Sequence, residues 1–517
     1  MSSKSDPQAL NYEAAPNAQR LLWAGFVAIL AAGVGFSVRG ASVLGAWSDA
    51  FGFTQTELGG ITGGGLVGFG VIIILSSFIA EKIGYAKLML FAFIVHFLSA
   101  VVTLAAPAVF AAAGKDATFW TLFVGMFLFA IGNGVCEAVV NPLVATLFPN
   151  NKTHYLNILH AGWPAGLILG GVAAIFMADS VSWQIQISLF LVPVVIYGAM
   201  IFGQKMPATE ASAAGLSIGE ILIQFASPLL LFLLLIHAMV GYVELGTDSW
   251  IARITGSILD DTTGRWLFVY TSALMFALRF VAGPIVHKIS PLGLLLASAI
   301  LATIGLFTLG GVNTTLAALL ALTIYGLGKT FFWPTMLAVV SERFPKGGAV
   351  TLGMVGGVGM LSAGLLGGPG IGFKQDKYAS EKLQELSSDT FERYKAGEEN
   401  RFLFVFSTNG LDGAKVGALG DGGESLNSEI AILEESGESN DSLKALKTWW
   451  DGAEEYAESD KEPVSQATLH GSRMALKLTA IIPAVMAVCY LLLILYFRSI
   501  GGYKALTIED ENAAAAN

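Results

Sequence analysis

Long apolar runs constrain this chain most. Each is about the 20 residues that a helix needs to cross a bilayer, and short polar turns separate them. Twelve fall at 21–47, 58–80, 87–110, 118–148, 155–177, 183–203, 227–253, 265–287, 292–311, 314–343, 349–372 and 471–497. A hydrophobic fraction of 54% against 13% charged residues makes lipid the solvent for most of the chain. No metal cluster or nucleophile motif marks an enzyme, and no nucleic-acid partner is expected. The glycines between Gly353 and Gly368 form no phosphate loop, because no strand precedes them and no Gly-Lys-Ser/Thr follows. They suit a helix that packs closely on its neighbours. Cys136 and Cys489 lie inside apolar runs, so no disulfide framework is implied.

The runs divide into a bundle over 21–203, a linker at 204–226, and a second bundle over 227–372 that is completed by 471–497. The tails are 1–20 and 498–517. The first is polar and lacks the basic and apolar regions of a cleaved signal. Between Lys374 and Thr468 the net charge is −11, against −10 for the whole chain, so 373–470 is an acidic insertion in an otherwise nearly neutral protein. Basic residues Lys82, Lys87, Lys152, Lys205, Lys288, Arg343, Lys346, Arg498 and Lys504 fall on the side shared by both tails. Both termini are therefore expected in the cytoplasm and the insertion outside an inner membrane. Within the insertion, Tyr378–Lys395 and Leu443–Tyr456 have amphipathic helical spacing, and Gly410–Gly423 is expected to be turn-like.

The two bundles echo each other. Glu137 and Asn141 precede Pro142 in the fourth run, and Lys329 and Trp333 precede Pro334 at the same spacing in the tenth. Each pair then leads through a proline-bearing turn, Pro149 or Pro345, toward a further span. Paired repeats of this kind build many carriers, with the site between them. A charge at the bilayer centre costs at least about 2.5–3.5 kcal/mol, so such residues face protein or a wet cavity. Arg39 lies in the first run, Glu137 in the fourth, Glu244 and Asp248 in the seventh and Lys329 in the tenth, which recur in steps of three. Asn133, Glu137 and Asn141 share one helix face, as do His237, Gly241, Glu244 and Asp248. Trp163, Trp250 and Trp333 stand beside polar residues and suit stacking on a sugar ring. His160, one turn before Pro164, can bond substrate or relay a proton, whereas His96 on an apolar helix suits packing. Arg279 suits either a substrate contact or the seam between bundles.

The segments Gly132-Asn133-Gly134-Val135-Cys136-Glu137-Ala138-Val139-Val140-Asn141-Pro142, Gly241-Tyr242-Val243-Glu244 with Gly246 and Trp250, and Gly326-Leu327-Gly328-Lys329 through Pro334 resemble the major facilitator superfamily, within it the fucose and glucose/galactose sugar–proton symporters. The resemblance implies an all-α membrane protein of twelve transmembrane helices in two pseudo-symmetric six-helix bundles. It further implies that Glu137 serves substrate binding and proton coupling with Asn141 beside it. The superfamily's turn between spans two and three stands here as Ser77-Phe78-Ile79-Ala80-Glu81-Lys82-Ile83-Gly84, and Arg39 replaces the first-span aspartate of the fucose type. A buried arginine there either holds Glu137 ionised or binds an anionic substrate.

The expectation is a monomeric secondary transporter of a sugar, without cofactor, coupled to H+ with Na+ as the alternative ion. Arg39, Glu137, Asn141, His160, Trp163, Glu244, Asp248, Trp250, Lys329 and Trp333 are its candidate substrate-binding residues, and Glu137 and Glu244 its candidate ion-coupling residues. An organic-anion or sugar-acid carrier is the alternative within transport. A nutrient sensor on a transporter scaffold is the alternative outside it.

Overall fold

A computed structural model describes residues 15–515 apart from 52, 54, 64, 178–179, 398, 404 and 437–439. Among the described residues, eleven helices are long and apolar enough to cross a membrane. The eighth span, Asp261–Arg279, has 19 residues but carries Asp261, Arg265 and Arg279, which lower its hydropathy. It packs against Gly162–Met177 and Thr315–Lys329. Two breaks separate spans that are otherwise continuous helix. Gly114, at φ 77, divides the end of the third span from the fourth within Ala106–Leu147. Ser290, at φ 67, divides the eighth from the ninth within Ala282–Leu309.

The echo in sequence is matched in backbone. The fourth span ends on Phe148 at φ −131, ψ 59, and the tenth on Phe344 at φ −132, ψ 59. A short 3₁₀ turn follows each, Pro149–Asn151 and Pro345–Gly347. Prolines at the first position of those turns lose no hydrogen bond, since the N–H there has no partner within the helix.

Polar and apolar faces are inverted relative to a water-soluble bundle. Leu90, Ile94, Phe97 and Val101 on the third span and Ile481, Val485, Val488, Leu492 and Leu495 on the twelfth are exposed at helical spacing. Such stripes are stable against acyl chains. Inside, buried side chains of both bundles form one continuous core. Close helix contact depends on glycine at Gly241 in the seventh span, where an added Cβ would lie 1.9 Å from the Gly359 carbonyl oxygen. Neither backbone can yield without unpacking the seventh helix from the eleventh. Gly241→Ala is therefore expected to reduce the yield of monodisperse protein in detergent severely, as read by size-exclusion chromatography.

Beyond the apolar part of the eleventh span the helix continues through Gly368–Leu386 and packs along Ala457–Thr479, which leads into Ile481–Ser499. A small helical unit on this pair has its own core, including Leu383, Phe391, Tyr394, Leu419, Trp450 and Val464. Buried Asp460 holds it by accepting from Thr390 Oγ1 and Arg393 Nε, both at 2.8 Å. The stretch expected to be turn-like contains a helix, Gly413–Asp421. Asp412 accepts from the N–H groups of Ala414 and Lys415 at its start, and Gly422, at φ 68, ends it. Capping at both ends overrides the weak propensity of its glycines.

Candidate functional site

A buried polar network joins the two bundles. Asn141 donates to Glu137 Oε2 at 2.7 Å, and its carbonyl faces His160 Nε2 at 2.8 Å. Because the amide nitrogen is committed to Glu137, the His160 Nε2 is the donor. The main-chain oxygen of His160 accepts from Arg279 Nη1, and Arg279 Nη2 donates to Glu244 Oε1 at 2.8 Å. Glu244 Oε2 accepts in turn from the backbone N–H of Trp333 at 3.2 Å. Glu137, Asn141, His160, Arg279, Glu244 and Trp333 are all buried.

Arg279 holds this network because of two prolines. A helical carbonyl normally accepts from the N–H four residues on, and proline has none. Pro164 therefore frees the carbonyl of His160, and Pro334 frees that of Thr330. Arg279 takes both, the second through Nε at 3.0 Å. The guanidinium thus ties the fifth span of one bundle to the seventh and tenth of the other. Arg279, which the sequence leaves open between a substrate contact and the seam between bundles, lies at the seam. The two prolines, each four residues beyond a carbonyl near an aromatic residue, were the available signal.

Lys329 pairs with Asp248 in a buried bond, so Asp248 is not left to solvent. Arg39 does not face Glu137. Its guanidinium lies inside the first bundle, 3.1 Å from Ser99 Oγ and over the rings of Phe129 and Phe190 at 4.4 and 4.7 Å. The helix widens into one π turn at Val38–Ser42, and a second such turn at Tyr242–Gly246 carries Glu244. Wide turns of this kind often mark functional sites. Trp250 Nε1 donates to the Gly368 carbonyl at 3.0 Å, toward the end opposite the termini. Trp333 lies against His237, with ring centres 4.6 Å apart and the planes tilted by 59°. His96 bonds Tyr197 and Asn133 at 2.9 and 3.0 Å, which makes it a packing residue.

A cavity of about 230 Å³ opens on the seam between bundles. Phe36, Phe69, Phe129 and Trp163 form its aromatic wall, and Arg39, Thr62, Asn133 and Ser249 supply its polar groups. The third wide turn, Ala363–Gly367, contributes Ala363 and Gly364 from the eleventh span. Among the described residues, Trp163 Nε1 and the Nε and Nη1 of Arg39 are buried without a hydrogen-bond partner.

The family model for the Major Facilitator Superfamily matches residues 24–368. The chain belongs to the Major Facilitator Superfamily. It is a multi-pass membrane transporter that handles small molecules. No curated protein matches this facilitator by sequence. Among solved structures it is similar to the transporter FucP in its outward conformation, at 18% identity and a TM-score of 0.55, over 69% of this chain and 91% of that one. It is similar to a D-xylose–proton symporter at 15% identity and a TM-score of 0.54, over 68% and 88% of the two chains. It is also similar to the human organic anion transporter MFSD10 at 13% identity and a TM-score of 0.55, over 92% and 100%. At these identities the likeness establishes the fold.

In this facilitator the two halves meet at the end that bears both termini. Lys152 Nζ donates to Ser341 Oγ at 3.1 Å, Thr153 to Glu342 at 3.3 Å, and Asn157 to Thr335 at 3.3 Å. Glu81, from the turn between spans two and three, accepts from the backbone N–H of Ala349 at 3.1 Å and from Thr209 of the linker. Gly84 closes that turn at φ 83, a conformation that strongly favours glycine.

Proposed function

We propose that this facilitator carries a small polar solute, a monosaccharide, by alternating access and couples its movement to protons through Glu137. Charge balance carries this reading. Of the three carboxylates in the mid-membrane cluster, Glu244 is matched by Arg279 and Asp248 by Lys329. Among the described residues, Glu137 bonds the Asn141 amide and faces the His160 imidazole 4.0 Å away, and no lysine or arginine pairs with it directly. A lone buried charge is costly and a paired one much less so. Glu137 is therefore the acid at which a proton has to come and go during the cycle. The Asn141–His160 chain orients it, and Arg279 links its surroundings to the second bundle, so a change at Glu137 is felt across the seam.

The cavity suits the substrate class. Its volume of about 230 Å³ is below the roughly 300–1,000 Å³ of pockets that take drug-sized ligands. Aromatic faces serve the apolar side of a sugar ring, and Asn133, Thr62 and Ser249 can exchange hydrogen bonds with its hydroxyls. In proteoliposomes, an inward proton gradient is expected to drive accumulation of labelled monosaccharide, and a protonophore to abolish it. Accumulation under a sodium gradient alone would overturn the proton assignment.

One observation favours a second reading. Arg39 borders the cavity with two nitrogens that have no hydrogen-bond partner among the described residues, and a solute carboxylate would satisfy them. Sugar acids that displace labelled sugar from the purified protein far better than neutral sugars do would replace the monosaccharide with a sugar acid.

A further inference from the structure

Away from the transport path, a two-stranded hairpin stands on the extension of the eleventh span. Asn400–Phe402 pairs antiparallel with Phe406–Thr408, with Phe402 opposite Phe406. Its tip is apolar and uncovered: Leu403 is 50% exposed, Val405 80% and Phe406 54%. Leu403 has φ 53, in the left-handed region where turns ordinarily place glycine or asparagine. A bulky apolar side chain is thus kept at the tip at a conformational cost. In water, such a tip is a liability for aggregation.

Its height and the face it occupies indicate what covers it. Leu365, Pro369 and Phe373 lie four residues apart on one face of the eleventh helix. Leu365 and Pro369 are exposed, so this face looks outward to lipid. The hairpin packs at the top of the same stripe, where Phe402 stacks on Phe373 with ring centres 5.8 Å apart. Phe402 also reaches Gly370, where an added Cβ would come within 3.0 Å of its ring. Lys374 marks the polar boundary: it donates to the hydroxyls of Tyr242 and Thr479, at 3.0 and 3.2 Å. Two residues beyond Thr479, the lipid-facing stripe of the twelfth span begins at Ile481. Gly370 is four residues from Lys374 toward the membrane centre, about 6 Å deeper at the helical rise.

From this placement we infer that the hairpin tip, Leu403 and Val405, is seated in the outer acyl region of the leaflet opposite the termini and anchors the inserted helical unit to the membrane surface. The partner is lipid because the apolar tip continues a face that already meets acyl chains. The ladder satisfies part of its own backbone, which permits shallow entry. Arg401, exposed beside the tip, lies where it can meet lipid phosphates.

The test uses the full chain reconstituted in phosphatidylcholine nanodiscs, with Cys136→Ala and Cys489→Ser removing the native thiols. An environment-sensitive fluorophore is attached at Val405→Cys and, for comparison, at Ser425→Cys on the exposed surface of the inserted unit. Lipids brominated in the acyl chains are expected to quench the label at position 405 severalfold more than at 425, and aqueous iodide to show the reverse order. Adding Val405→Asp to a label at Leu403→Cys is expected to reduce the lipid quenching there. Equal iodide quenching at 405 and 425 would overturn the anchor. Shielding of position 405 from both quenchers would also overturn it, since protein rather than lipid would then cover the tip.

Discussion

Replacing Glu137 with glutamine is expected to abolish uphill accumulation in proteoliposomes while leaving exchange of labelled for unlabelled solute in place. Glutamine has nearly the shape of a protonated glutamate, and its carbonyl can still accept from Asn141 Nδ2, which now lies 2.7 Å from the carboxylate. The fold and the His160 contact should therefore survive. What is lost is the ability to release a proton on one side and take one up on the other. The accumulation ratio should fall to the equilibrium value under any imposed pH gradient. Binding, read as a substrate-induced thermal shift, should persist. Undiminished accumulation would remove Glu137 from the coupling step. Loss of exchange together with accumulation would make it a binding residue alone.

Arg279→Met is expected to be among the most destabilising single changes in the membrane core. It strands Glu244 as a buried charge and leaves two proline-freed carbonyls, those of His160 and Thr330, without a donor. Removing one partner of a buried ion pair costs about 3–5 kcal/mol. Glu244→Gln should be milder, because Arg279 keeps both carbonyls and can still donate to the glutamine oxygen. The double variant Glu244→Gln with Arg279→Met should recover part of the loss by deleting the stranded charge. Thermal unfolding of the three purified variants checks this order. If the double variant is as unstable as Arg279→Met alone, the stranded carboxylate is not the main cost. Because Arg279 bridges the bundles, its loss should also change the balance between inward-open and outward-open states, readable as altered protease or thiol accessibility at the Lys152–Ser341 seam.

The membrane fold was legible because hydropathy is a property of each segment alone. A run such as Ile481–Leu495 needs no partner to declare its solvent, and the breaks at Gly114 and Ser290 lie in the short turns that length already required. The repeat was legible from Glu137 and Lys329, each five residues ahead of a proline, and the backbone bears it out at Phe148 and Phe344. The helix at Gly413–Asp421 was missed because its glycines read as turn, and its caps act only once both ends are placed.

The pairing of charges was beyond the sequence. Glu244 and Asp248 stand one turn apart on the same helix, so nothing local assigns Arg279 to the first and Lys329 to the second. Arg39 has the depth of a site residue, yet the rotation of the first helix directs its guanidinium among Phe129, Phe190 and Ser99 rather than toward Glu137. By itself the sequence determined the solvent, the number of spans, the repeat and the residues whose charge needs a reason. The tertiary structure decided which of those charges neutralise one another and which acid remains unmatched. The physical reason is that burial follows from a segment's composition, whereas an ion pair depends on how two helices are turned toward each other, to within an ångström or so.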